Sequence, residues 1–312
     1  MKKQLHACLL ALALSAATSV TLDAQTGISV SDLSVPSRVA PLYFGPNAFQ
    51  VPDMADGTVT GEFSAELRAD YFEGRAAGKP DRTGDAAFRV TVPLWSDRVN
   101  ICFWGNVAES YLENPDLQAF RRVGMTRQGQ GDQPGLSSQP GTGNSQALPL
   151  KGTLSTGVWY LSTDMLILRE TERRPALTLR AALKTASEPI SFHTARYYDS
   201  AGYFFDLAAG KSFGSVRLAA SAGFLCWQTD NGRQNDAVLY DFRLSWQPGE
   251  FGLAASIGGY SGWEGDGDRP LTVKFRAGWS AGRLSPFVYL QHGLHDYPFT
   301  QFSAGLRYTF TR

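Results

Sequence analysis

Residues 301–312 read QFSAGLRYTFTR. Taken alternately, Phe302, Ala304, Leu306, Tyr308 and Phe310 form an apolar and aromatic set. Gln301, Ser303, Gly305, Arg307 and Thr309 form a polar or small one. Successive side chains of a strand point to opposite faces, so this is a strand with one oily face and one wet face. What must be explained is why an arginine shares a strand with so many outward aromatics so close to the end of the chain.

The same alternation recurs upstream. In TVTGEFSAELRADYF, Val59, Gly61, Phe63, Ala65, Leu67, Ala69 and Tyr71 alternate with Thr58, Thr60, Glu62, Ser64, Glu66, Arg68 and Asp70. In AVLYDFRLSW, Val238, Tyr240, Phe242, Leu244 and Trp246 alternate with Leu239, Asp241, Arg243 and Ser245. RPLTVKFRAGWSAG sets Leu271, Val273, Phe275, Ala277 and Trp279 against Thr272, Lys274, Arg276 and Ser280. AAFRVTVPLW and ALTLRAALKT repeat the pattern, with Arg89, Thr91 and Trp95 on the wet face of one and Thr178, Arg180 and Lys184 on that of the other. Weaker strand-like segments are VNICFWGNVAESY, TLSTGVWYLSTDMLIL, YFFDLAAGKSF, VRLAASAGFLCWQT, FGLAASIGGYSGW and SPFVYLQHGL. About twelve strands result, an even count within the range of bacterial membrane barrels. No segment has a helical period.

Composition bounds the function. The chain has 312 residues, formal net charge +0 and 43% hydrophobic residues, and aromatics reach 12% with 32 glycines. A neutral chain with pI near 6.9 offers no global field for nucleic acid. Many short aromatic, glycine-rich strands suit a barrel, sandwich or propeller. The start of the chain reads as an export signal over 1–24: Lys2 and Lys3, then the apolar run LHACLLALALSAA, too short to span a membrane. No lipobox precedes Cys8, so no lipid anchor is expected.

The connections add a second signal. Short links such as SDR, RETERRP, QPGE and AGR tend to alternate with longer ones such as EGRAAGKPDRTGD, residues 112–150, EPISFHTARYYDSAG, NGRQND, EGDGDR and HDYPFT. Membrane barrels sort their turns and loops in this way. A soluble sandwich with one wet face would show the same residue alternation. Its apolar face would be rich in Leu, Ile and Val, however, whereas here Ala, Gly, Tyr and Trp mix in, and aromatics recur near strand ends at Tyr71, Trp246, Trp263, Trp279, Tyr308 and Phe310. Those are girdle positions.

The final strand resembles the C-terminal signal of Gram-negative outer-membrane β-barrel proteins, with the departure that Thr311 and Arg312 follow Phe310. The resemblance covers the pattern of residues 57–312 and is specific for the class, not for any member. It implies an all-β, antiparallel, up-and-down transmembrane barrel in the outer membrane, with both termini periplasmic. It also implies contact with outer-membrane lipid and lipopolysaccharide, and recognition of the last strand by the barrel-assembly machinery. Residues 25–56, with VAPLYFGPNAFQVPDM and no alternation, read as a periplasmic tail or a plug folded into the lumen.

On this reading the wet face lines the lumen. Glu62, Glu66, Arg68, Asp70, Arg89, Arg180, Lys184, Asp206, Arg217, Asp241, Arg243, Lys274, Arg276 and Arg307 fall on it. Basic residues outnumber acidic ones in this set, which suits a water-filled pore with a mild anion preference. The competing reading is a closed scaffold whose charges pair across strands, since twelve strands sit between self-filled and open barrels. A third reading is an enzyme acting on outer-membrane lipid, with His193 beside Asp199 or Ser200. His292 and His295 at i, i+3 face opposite sides of a strand and make a poor metal pair. Cys102 should point inward and Cys226 outward, so no disulfide is expected. Nothing in the sequence calls for a cofactor or a metal.

Overall fold

The computed structural model describes residues 50–76, 79–113, 154–155, 158–185, 202–227, 235–261, 269–280 and 282–310. The expected signal at 1–24, most of the 25–56 segment, the bulk of the loop at 112–150, His193, Asp199, Ser200 and Trp263 lie outside the described residues.

The described residues form thirteen strands: β1 Phe63–Ala76, β2 Lys79–Pro93, β3 Val99–Glu113, β4 Leu154–Ser155, β5 Trp159–Leu168, β6 Ala176–Lys184 and β7 Gly202–Phe213. They continue as β8 Val216–Trp227, β9 Asn235–Trp246, β10 Phe251–Ser261, β11 Leu271–Trp279, β12 Leu284–His295 and β13 Phe299–Phe310. The two-residue β4 pairs with β3 at Glu109 and Ser110, above the stretch where β5 pairs with it, so β4 and β5 form one stave. Twelve staves result. Each pairs antiparallel with its sequence neighbours, and β13 returns to β1 from Phe63↔Phe310 to Gly74↔Phe299. The sheet therefore closes on itself, which pairs every stave on both sides. In hydrocarbon an unpaired backbone group costs several kcal/mol, so closure is what allows strands to cross a membrane.

The two faces sort as the alternation requires. Leu67, at 67% exposure, Val238, Phe242, Leu244, Ile257, Phe275, Val288, Phe302 and Leu306 project outward. Aromatics crowd the outer rim at the end with the short turns: Phe63 stacks on Phe310 at 4.4 Å, and Tyr308, Trp246, Phe251, Trp279 and Phe213 stand nearby in the register. Inward, Glu66, Asp70, Thr91, Asn100, Ser162, Asp164, Thr178, Lys184, Ser256, Lys274, Gln291 and Ser303 are buried. Arg307 is an inward residue of the last strand, and its guanidinium reaches Glu66 at 3.2 Å across the seam that closes the barrel.

Several details differ from the sequence expectation. The first strand starts at Phe63, not near Thr58, so Glu62 sits in an exposed bend ahead of the wall. The segment EGRAAGKPDRTGD is mostly strand: β1 and β2 stay in register out to Ala76↔Lys79. Trp95 does not line the wet face; it is 71% exposed in the β2–β3 turn. Cys102 is buried inward, 3.3 Å from Thr91 Oγ1, and Cys226, though of outward parity, is also fully buried. Both are free thiols.

Candidate functional site: an unevenly occupied lumen

The chain does not enter β1 directly. Residues 50–57 precede it as an extended segment that lies inside the barrel against β6 to β11. The cause is a ladder of backbone and carboxylate groups met by inward side chains. Arg217 Nη2 donates to Gly57 O at 2.9 Å and Arg217 Nε to Asp56 O at 3.3 Å. Arg243 Nη1 reaches Asp56 Oδ2 at 3.4 Å. The Ala55 N–H donates to Asp206 Oδ1 at 2.8 Å, and the Gly57 N–H to Thr178 Oγ1 at 3.2 Å. Arg180 donates to Asp53 O while its other nitrogens bind Asp164 at 2.6 and 3.1 Å. Lys274 Nζ collects Val51 O at 2.9 Å, Pro52 O at 3.1 Å and Asp53 Oδ1 at 2.8 Å. A strand of backbone placed in the lumen must have its polar groups met, and these inward residues meet them.

Apolar contacts fix the same segment. Val51 and Met54 pack with Ala182, Phe204, Leu225, Ala237, Leu239 and Tyr260. Met54 is only 2% exposed. Close approach at the turn-side end depends on two glycines. A Cβ on Gly210 would lie 2.3 Å from Asp56 O, and one on Gly57, whose φ is +81°, would lie 2.7 Å from Gly210 N. Burial alone would raise the Asp53 carboxyl, but Lys274, Arg243 and Arg89 outweigh it and hold it well below the usual carboxylate range. At the β5–β6 turn, burial likewise opposes ionisation of Glu170, yet the Ser212 N–H and Arg217 bring it down to about 2. Glu170 thereby holds Arg217, and Arg217 holds Gly57.

The opposite side of the lumen is left open. A narrow cavity of about 70 Å³, partly open to solvent, lies between the segment and β1, β2, β3, β5, β7, β12 and β13. Its lining includes Glu66, Arg68, Phe72, Arg89, Trp104, Asn106, Tyr160, Tyr289, Gln291 and Gln301. Arg68 pairs with Asp70 at 2.8 Å. Glu66 Oε2 accepts from Arg276 at 3.0 Å and from Arg307 at 3.2 Å. Arg89 lies over the Trp104 ring at 5.1 Å, and Trp104 stacks on Tyr160 at 5.2 Å.

The anticipated site residues thus divide. Arg180, Asp206, Arg217, Arg243 and Lys274 hold the segment. Glu66, Arg68, Asp70, Arg89, Arg276 and Arg307 belong to the open side. Lys184 is buried at the loop-side end of β6, and Asp241 lies beneath Gly258, its Oδ1 2.5 Å from where a Cβ there would stand. Sequence reasoning missed four inward carboxylates: Asp81, Asp85, Glu109 and Asp164. Asp81 and Asp85 fall in a stretch that reads as a loop, although the alternation Asp81, Thr83, Asp85, Ala87 is present. The β2–β3 irregularity between Ala86 and Ala87 shifts the parity that would have exposed Glu109. With these, and with Asp53 and Asp56 from the segment, the basic excess disappears, and carboxylates slightly outnumber cations among the described lumen residues. His292 and His295 do not converge: His292 Nδ1 meets Thr300 Oγ1 at 2.8 Å, and His295 Nδ1 meets Arg269 O at 3.0 Å.

Among solved structures, an outer membrane channel from Pseudomonas putida F1 matches at 12% identity with a TM-score of 0.56, over 83% of this chain and 100% of that one. The chain shares the closed antiparallel β-barrel fold of that outer membrane channel. The KdgM porin in complex with disordered oligogalacturonate matches at 7% identity and TM-score 0.46, over 80% of this chain and 99% of that one. The NanC porin matches at 9% identity and TM-score 0.46, over 79% and 100%. At such identities the likeness is one of fold. No family model matches the sequence, and no curated protein matches it.

Proposed function

We propose that this outer-membrane barrel is a passive channel for small polar or anionic solutes, narrowed by its own N-terminal segment. The observation that carries this reading is the one-sidedness of the lumen. The segment is tied to β6–β11, and the cavity runs beside it along a wall of arginine, amide and aromatic side chains. A solute passing there meets fixed donors and acceptors in place of lost water, which is how narrow pores admit small polar molecules. On this reading both termini are periplasmic and the short turns face the periplasm. Lipid and lipopolysaccharide cover the apolar outer band, and the assembly machinery reads β13.

The occupied lumen also favours a second reading, a closed structural barrel in which the segment and the paired charges block flow. Single-channel recording on purified, refolded protein in a planar bilayer decides between them, with a salt gradient to read ion preference. Small, stable current steps are expected. A folded barrel that carries no current overturns the channel and leaves the closed barrel.

A further inference from the structure

The charges on the open side of the lumen do not cancel. Glu66 stands directly opposite Arg89 across β1–β2 and directly opposite Arg307 across β1–β13. Its Oε2 is taken by Arg276 and Arg307 together. Arg68 has Asp70. Arg89 is left with the face of Trp104 and, among the described residues, with no carboxylate in ion-pair contact. Four guanidinia on this stretch of wall therefore have two carboxylates in ion-pair contact; a third, Asp53 at the cavity edge, feels Arg89 but is bonded to Lys274, and Arg89, without a contacting carboxylate, lines the cavity.

A cation held on an aromatic face in a narrow lumen keeps the in-plane N–H groups of its guanidinium unused. Those groups form a fork that matches a planar oxyanion. Trp104 lies against the fork, and the same cavity carries the aromatic faces of Phe72, Tyr160 and Tyr289 beside the polar Asn106, Gln291 and Gln301. A bare inorganic anion gains nothing from such a wall, whereas an organic body attached to a carboxylate buries apolar area against it. We propose that Arg89 is the anchor of an anion-binding site in the lumen and that the site takes small organic carboxylates. The proposal deepens the channel reading and rests on it for its physiological meaning, but the site itself is a property of the wall.

The test uses butyrate, its neutral amide butyramide, and inorganic phosphate, on refolded wild-type protein and on Arg89→Gln and Arg89→Lys. In single-channel recordings, butyrate should interrupt the chloride current of the wild type. The half-blocking concentration should rise at least tenfold in Arg89→Gln, with Arg89→Lys between the two, since a lysine keeps the charge but not the fork. Butyramide should not interrupt the current, and phosphate should do so more weakly than butyrate. Equal block in wild type and Arg89→Gln, or block by butyramide, overturns the site. Phosphate acting as well as butyrate overturns the assignment to organic carboxylates. Calorimetric titration of butyrate into the detergent-solubilised proteins separates the site from the channel. Arg89-dependent heat without any channel current sinks the channel and keeps the site, while current without Arg89-dependent binding does the reverse. Retention of the β-sheet circular-dichroism signal shows that each variant is folded.

Discussion

The two sides of this lumen are built from similar residues and do different things. Along β6–β11, Arg180, Arg217, Arg243 and Lys274 are consumed by the backbone and carboxylates of residues 51–57. Along β1–β5 and β11–β13, Arg68, Arg276 and Arg307 form their ion pairs with Glu66 and Asp70, Arg89 has no carboxylate in contact, and a cavity lies in front. An inward arginine is available to a solute only where nothing in the chain has claimed it. The difference lies in glycines and apolar groups as much as in charge. The segment can approach β7 because Gly210 and Gly57 lack side chains there, and Val51 and Met54 find an apolar floor.

The strongest way to break this division is to fill the glycine contact. Gly210→Val places its Cβ only 2.3 Å from the present position of Asp56 O. The Arg217 guanidinium is equally close but is the end of a flexible side chain, so it can give way; the backbone of residue 56 cannot do so without leaving the wall. The segment should detach while the barrel, whose outer face is untouched, stays folded. A several-fold rise in single-channel conductance is the expected result, with the amides of residues 50–57 losing hydrogen-exchange protection. An unchanged conductance with protection lost would show that the segment does not limit the pore.

A smaller effect should follow from Met54→Ala. The side chain sits at 2% exposure against Phe204, Leu225 and Leu239. Truncating a buried methionine costs about 2–5 kcal/mol, and here the cost falls on docking of the segment and not on closure of the sheet. Each ~1.4 kcal/mol is a factor of ten in the open population, so exchange of the Ala55 and Gly57 amides should speed up by at least roughly tenfold. Lys274→Met should do less. It removes three bonds to Val51, Pro52 and Asp53, but Asp53 is 40% exposed and can turn to water. A loss of about 1–2 kcal/mol of docking is expected, below that of a fully buried ion pair. If the order of these two variants were reversed in hydrogen exchange, charge and not apolar contact would be holding the segment.

How much of this was legible in the sequence depends on which residues are asked about. The strands were legible because a closed membrane sheet forces strict period-two sorting, as in Phe302, Leu306 and Phe310 against Ser303 and Arg307. The inward direction of Glu66, Arg180 and Arg307 followed from the same rule. What did not follow was pairing. Alternation says that Arg89 and Arg217 point inward; it does not say that Asp56 O awaits one of them and that, among the described residues, no carboxylate stands in ion-pair contact with the other. The segment itself has no period, because an extended chain in a lumen is shaped by its hosts and not by its own pattern. The acidic side of the balance is underread where DRTGD resembles a loop, and where the irregularity near Ala86 moves Glu109 out of step.

The mildest test of the division is acid. Glu170 and Asp53 are both held ionised by cations and donors of the segment side, Glu170 with a value of about 2 against an ordinary 4.5. A carboxylate depressed in the folded state contributes stability that is complete above its unfolded value and is lost as pH falls through its folded one. Between pH 7 and 5 neither of these two carboxyls changes charge, so their hold on the segment is constant there. Loosening should begin below about pH 4.5 and grow toward pH 2, as Glu170 releases Arg217 and Arg217 releases Gly57. Glu170→Gln should show that loosened state already at neutral pH. The effect should be modest, because Glu170 lies at the turn, partly in water, where an ion pair is worth little. Conductance against pH for the two proteins reads this directly. If the wild type and Glu170→Gln gave the same conductance at neutral pH and the same curve below about pH 4.5, Glu170 would be removed from the chain of contacts that holds the segment.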